Sequence, residues 1–136
     1  MTDQIREKLI YKRKIYRITE EPLEPYFNKY KIERPFEFTR TNCWRSYEGV
    51  WKVKYGKLYL AKLTAYNEEY TEVGLEILFP GQKEVFAEWY TGDIRLPIDK
   101  AEYSSYLPHF FLDTGLFLKF KKGILVSTRL VKSEKI

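Results

Sequence analysis

The stretch from Cys43 to Leu63 constrains this chain more than any other. It reads Cys-Trp-Arg-Ser-Tyr-Glu-Gly-Val-Trp-Lys-Val-Lys-Tyr-Gly-Lys-Leu-Tyr-Leu-Ala-Lys-Leu. Tyr47, Gly49, Trp51 and Val53 stand on one parity and are mostly apolar. Ser46, Glu48, Val50, Lys52 and Lys54 stand on the other and are mostly polar. Such a period of two marks a half-buried strand, because successive side chains leave a strand on opposite faces. The pattern breaks at Tyr55-Gly56-Lys57, where Gly56 can take the positive φ of a tight connection. Two long antiparallel strands joined there are expected at the centre of the fold. Trp51 and Val53 are expected inside, Lys52 and Lys54 outside.

The rest of the chain reads around that hairpin. Residues 1–7 are polar and expected to be loosely held. Leu9–Tyr11 and Ile15–Ile18 flank a basic turn, Lys12-Arg13-Lys14, as a first hairpin. Pro22, with Thr19 or a neighbour as cap, precedes Leu23, Tyr26, Phe27 and Tyr30 at helical spacing. One short helix over residues 22–30 is predicted. Residues 32–42 read as an irregular connection, and residues 64–70 as a mobile polar insertion. Val73–Phe79 is expected as a strand ended by Pro80-Gly81. Val85–Tyr90 and Asp93–Leu96 are expected as strands meeting at a bend, Thr91-Gly92. Residues 98–108 read as loop, Phe110–Phe120 and Ile124–Val131 as strands, and Lys132–Ile136 as a frayed tail.

About eight or nine strands in a chain of 136 residues predict a single mainly β domain. The expected architecture is an antiparallel sandwich or a partly closed barrel with one short N-terminal helix.

The bulk chemistry narrows function only by exclusion. One cysteine, Cys43, excludes an internal disulfide and any multi-cysteine zinc site. The charged N-terminus has no apolar signal core, and no apolar run approaches the roughly 20 residues of a membrane helix. A cytoplasmic protein, of a bacterial-type cell or of what infects it, is expected, with no membrane partner. A net charge of +5 suits an anionic small molecule or an acidic protein. Nucleic acid is less favoured, because Lys and Arg are spread along the chain with no basic arm. Aromatic residues make up 18% of the chain, which serves pleated packing and would also serve stacking on a planar ligand.

Several segments carry a resemblance. Pro22-Leu23-x-Pro25-Tyr26, Trp44-Arg45-x-Tyr47 followed by Trp51, Leu58-Tyr59-Leu60, Leu78-Phe79-Pro80-Gly81 and Val85-Phe86-Ala87-x-Trp89-x-x-Gly92-x-Ile94 are similar to a family of small bacterial and phage hypothetical proteins. The likeness spans residues 9–97. This chain departs from the family pattern at Ser46, where the family has glycine, and again after residue 105. The family has no settled activity, so the resemblance implies a shared small β-rich fold and little more.

Catalytic patterns are thin. A Ser-His-Asp arrangement needs a histidine beside its nucleophile. The one histidine, His109, sits between Leu107-Pro108 and Phe110-Phe111, as a packed or loop histidine or as a lone ligand contact. Glu88 and Asp93 flank the Trp89–Gly92 bend and would serve a small hydrolase only if they converged. Cys43 is expected as a small buried hydrophobe. No metal or cofactor is expected.

The more suggestive set is Trp44, Arg45, Tyr47, Trp89 and Arg95, with His109. Arg45 shares its parity with Tyr47 and Trp51, and a guanidinium is almost never buried unpaired. It is either a structural ion pair with Glu88 or Asp93, stacked on a tryptophan, or the floor of a pocket gripping a phosphate or carboxylate.

The leading expectation is thus a non-catalytic protein binding an anionic, nucleotide-like ligand, sequestering a signal in conflict between phage and bacterium. The alternative is a protein-interaction module, an immunity or inhibitor protein acting through a strand edge or aromatic patch.

Overall fold

The computed structural model describes residues 4–98 and 114–132. Within them the strands are β1 (Glu7–Tyr11), β2 (Lys14–Ile18), β3 (Tyr47–Lys54), β4 (Lys57–Tyr66), β5 (Glu72–Val73), β6 (Val85–Phe86), β7 (Gly92–Leu96), β8 (Gly115–Lys121) and β9 (Ile124–Val131). One helix, α1 (Glu24–Tyr30), and a 3-10 turn at Leu75–Ile77 complete the elements. The strands form one sheet in the order β2-β1-β3-β4-β9-β8-β7, with β5 and β6 also paired to β4. Its end strands, β2 and β7, approach within 8 Å between Cα atoms yet share no ladder. The sheet curls on itself without closing into a barrel.

The central hairpin is β3–β4, as its alternation requires. Tyr47, Gly49 and Trp51 are buried in turn, while Val53 and the two lysines beside it are half-buried. A bulge falls between Val50 and Trp51. Three hairpins turn the same way, through Lys12-Arg13, Tyr55-Gly56 and Lys122-Gly123, all at φ between 48° and 79°. Positive φ at both central residues matches the twist of the flanking strands. The first hairpin achieves this without a glycine.

The sheet is mixed rather than wholly antiparallel, because β1 lies parallel to β3 and pairs Leu9 with Trp51. After β2 the chain passes through α1 and returns on the far side of β1, which aligns β3 with β1. Two expected strands shrink. Val73–Phe79 keeps only the end of β5, since Ile77, Leu78 and Phe79 donate their N–H groups locally to Gly74 and Leu75. Val85–Tyr90 keeps only β6, then folds into a turn closed by Tyr90 N–H on the Ala87 carbonyl, at 3.1 Å. Both apolar runs are buried as turns: Phe79, Ala87, Trp89 and Tyr90 all lie in the core.

Helix α1 starts at Glu24 with Leu23 as an N-cap that makes no side-chain bond, so Thr19 does not cap it. It stops at Lys31, whose φ of 52° is left-handed. Residues 64–70 are not an insertion. Thr64 to Tyr66 finish β4, and the Asn67 side chain closes the following turn by accepting from the N–H groups of Glu69 and Thr71. The N-terminus is tied down from its first described residues. Ile5 N–H donates to the Asn42 carbonyl at 2.8 Å, and Gln4 bridges Thr41 and Trp44. His109, residues 99–108 of the expected loop, the start of the Phe110–Phe120 strand and the outermost terminal residues lie outside the described residues.

Candidate functional site

Arg45 points inward, as its parity predicts, but neither Glu88 nor Asp93 is its partner. Its Nε donates to Glu7 Oε2 at 2.9 Å, and Glu21 lies 3.4 Å from its Nη1. The neighbouring ring is Tyr47, 5.5 Å from the guanidinium, not a tryptophan. Glu7 comes from the segment expected to be loose, yet it is 1% exposed. It accepts two further bonds, from Gly49 N–H and Trp51 Nε1, each at 2.8 Å. Glycine at residue 49 makes room for this carboxylate, because a Cβ there would stand 2.7 Å from Glu7 Oε1.

Burial pushes the Glu7 carboxyl above its usual range, against the pull of the Arg45 charge and the three donors. For Arg45, burial works against the charge, and Glu7 with its other neighbours outweighs it. The three donors and the Arg45 charge all favour the carboxylate form of Glu7, opposing the effect of burial. Around it, the Tyr47 hydroxyl donates to Glu24 at 2.7 Å and Arg34 grips the same carboxylate through both terminal nitrogens. Burial, then the nearby carboxylates, raise the Tyr47 phenol far above its usual range. Arg45 and Tyr47 are therefore held inside a structural network.

The remaining expected residues are scattered. Trp44 is 60% exposed. Arg95 is buried and its Nη1 donates to the Thr114 carbonyl at 2.8 Å. Cys43 is buried as expected, with its thiol directed at the Tyr47 carbonyl. Glu88 and Asp93 border different hollows. Trp89 and Glu88 line a sizeable cavity together.

That cavity, of about 510 Å3, opens between α1 and β6. Its wall is aromatic: Tyr26 and Tyr30 from the helix, Phe79, Phe86 from β6, and Trp89. Phe79 and Trp89 lie parallel, 5° apart in plane with centroids at 6.0 Å. Tyr26 meets the Trp89 ring edge-on at 4.8 Å. The Trp89 indole donates to the Pro22 carbonyl at 2.8 Å, which fixes the ring against the start of the helix. Glu88 accepts from the Tyr30 hydroxyl at 3.4 Å, and Gln82 adds an amide. Glu88 is the only charged residue among the described residues that line it. Sequence reasoning singled out Trp89 and Glu88 and missed the other lining residues. Tyr26 and Tyr30 show only helical spacing, which packing against the sheet explains equally well.

Among the described residues no group of three His, Cys, Asp or Glu side chains is placed to hold a metal ion. None of the helices among the described residues is long and apolar enough to cross a membrane. Set against family models, curated proteins and solved structures, the chain matches none.

Proposed function

We propose that the chain is a non-catalytic binding protein whose ligand occupies the aromatic groove between α1 and β6. The observation that carries this reading is the wall of five rings around about 510 Å3, a volume typical of small-molecule sites. Such walls hold flat apolar surfaces through burial and offset or edge contacts. Glu88 and Gln82 would orient a polar edge of the ligand, as the few polar groups of such sites do.

This favours the ring of a nucleotide-like ligand and not its phosphate. No cation lines the groove among the described residues, Arg45 faces Glu7 and Glu21, and Arg95 donates to Thr114. The ligand class is a planar, hydrogen-bonding, uncharged ring system, with nucleobases and nucleosides as the nearest members.

Thermal unfolding with matched nucleosides and nucleotides tests it. A nucleoside at 100 times its Kd should stabilise the protein by about 2.7 kcal/mol. Tyr30→Ala and Glu88→Gln should remove that shift without unfolding the protein. A shift given by nucleotides alone, or none from any planar ligand, rejects the groove.

The second reading, a protein-interaction module, has one specific support: among the described residues nothing pairs with the outer edge of residues 126–131, and β9 carries exposed apolar side chains.

A further inference from the structure

β9 is exposed along most of its length. Its first residue, Ile124, pairs with Lys57 at the start of β4. Beyond that point β4 pairs with β6 and β5 instead, so β9 keeps β8 as its one continuous neighbour. Among the described residues, no backbone hydrogen bond reaches residues 126–131 from the side away from β8. Ile124, Val126 and Leu130 are 46%, 52% and 53% exposed.

Strand edges in water are normally blunted by lysine, proline or an inward-pointing charge. β9 reads Ile-Leu-Val-Ser-Thr-Arg-Leu-Val and contains neither lysine nor proline. Its single charge, Arg129, lies 4.9 Å over the Phe117 ring of its own hairpin. The outer strand β2, by contrast, carries Lys14 and Arg17.

We propose that β9 is a homodimer edge, two copies pairing these strands antiparallel about a two-fold axis through Thr128. The sequence is self-complementary in that register. Val126 faces Leu130, Leu125 faces Val131, Ser127 faces Arg129, and Thr128 faces its own copy. Apolar residues oppose apolar ones, and threonine pairs across strands are favourable. The two Arg129 side chains fall on either side of the axis and never oppose each other. A two-fold interface requires one patch to fit itself, and this one does. Each copy carries a net charge of +5, so mutual repulsion weakens the pairing at low ionic strength.

Sedimentation velocity over a range of protein and salt concentrations tests the proposal, together with cross-linking. A dimer that strengthens with salt is expected, and Leu130→Lys should make it monomeric with its circular dichroism unchanged. Opposed Cα atoms in an antiparallel pair lie about 4.5–5.5 Å apart, within disulfide range. Thr128→Cys should therefore form an intermolecular disulfide under mild oxidation at least tenfold faster than Ile15→Cys on exposed β2. Should Leu130→Lys misfold, this ratio decides alone. A wild type that stays monomeric at every concentration overturns the proposal. So does a dimer that survives a folded Leu130→Lys, or equal cross-linking rates at the two cysteines.

Discussion

At the β1–β3 side of the sheet a charge pair is buried, and both oxygens of the Glu7 carboxylate are engaged by donors. At the β8–β9 hairpin, valine and leucine side chains stand exposed beside a strand edge that no described residue pairs over 126–131. One region puts ions where hydrocarbon is expected, and the other does the reverse. The difference lies in partners and not in polarity. A carboxylate can leave water when three N–H groups replace its hydration, and an apolar strand stays exposed when no element crosses it. The first arrangement tolerates little change, and the second tolerates much.

The comparison breaks most easily at Glu7. Glu7→Ala leaves Arg45 buried beside an empty site, and should destabilise the protein by about 3–5 kcal/mol in urea unfolding. Trp51→Ala should lose a similar amount, about 3–5 kcal/mol, through lost transfer energy and a cavity. Losses below about 1 kcal/mol in both would mean that this side of the sheet is no more tightly specified than β9. Gly49→Ala presses a methyl group onto the Glu7 carboxylate and should lose about 1–3 kcal/mol, read from the same curves. On the other side, Val126→Thr and Arg129→Ala should change stability by no more than about 0.5 kcal/mol.

The smallest effect is a matter of pH. Lys54 donates to Glu84 at 2.9 Å; that bond holds the carboxyl below its ordinary 4.5 and the ammonium above its ordinary 10.5. A depressed carboxyl stabilises the fold above its unfolded pKa and loses that contribution as pH falls through the folded one. Lys54→Met should therefore be slightly less stable than wild type at pH 7, and the gap should close below pH 4.5. A gap that does not narrow at all as the pH falls from 7 into acid would assign it to packing of the lysine stem.

Parity made much of this legible. The β3–β4 hairpin, the inward direction of Arg45, the single helix and the burial of Cys43 all follow from local pattern. The partner of Arg45 did not, because Glu7 reaches it only through the parallel pairing of β1 with β3, and a lone glutamate near a polar terminus carries no signal of burial. Val73–Phe79 and Val85–Tyr90 misled for a related reason. Their apolar residues are buried, but continuous apolar runs show no period that distinguishes strand from packed turn. The aromatic groove was hidden because Tyr26, Phe79 and Trp89 converge from a helix and two turns far apart in sequence.

The span of the buried ion pair has a kinetic consequence. Glu7 meets Arg45, Gly49 and Trp51 across 38, 42 and 44 residues, whereas β3 and β4 meet across one tight turn. Closing a loop of that length carries an entropy term of about (3/2)RT ln n, which the hairpin largely avoids. The hairpin therefore forms first, with Arg45 still hydrated, and the interior dries only when β1 docks and delivers the counter-charge. Removing Glu7 should then accelerate unfolding while leaving the folding rate almost untouched. By the same argument the N-terminal strand docks after the hairpin it completes.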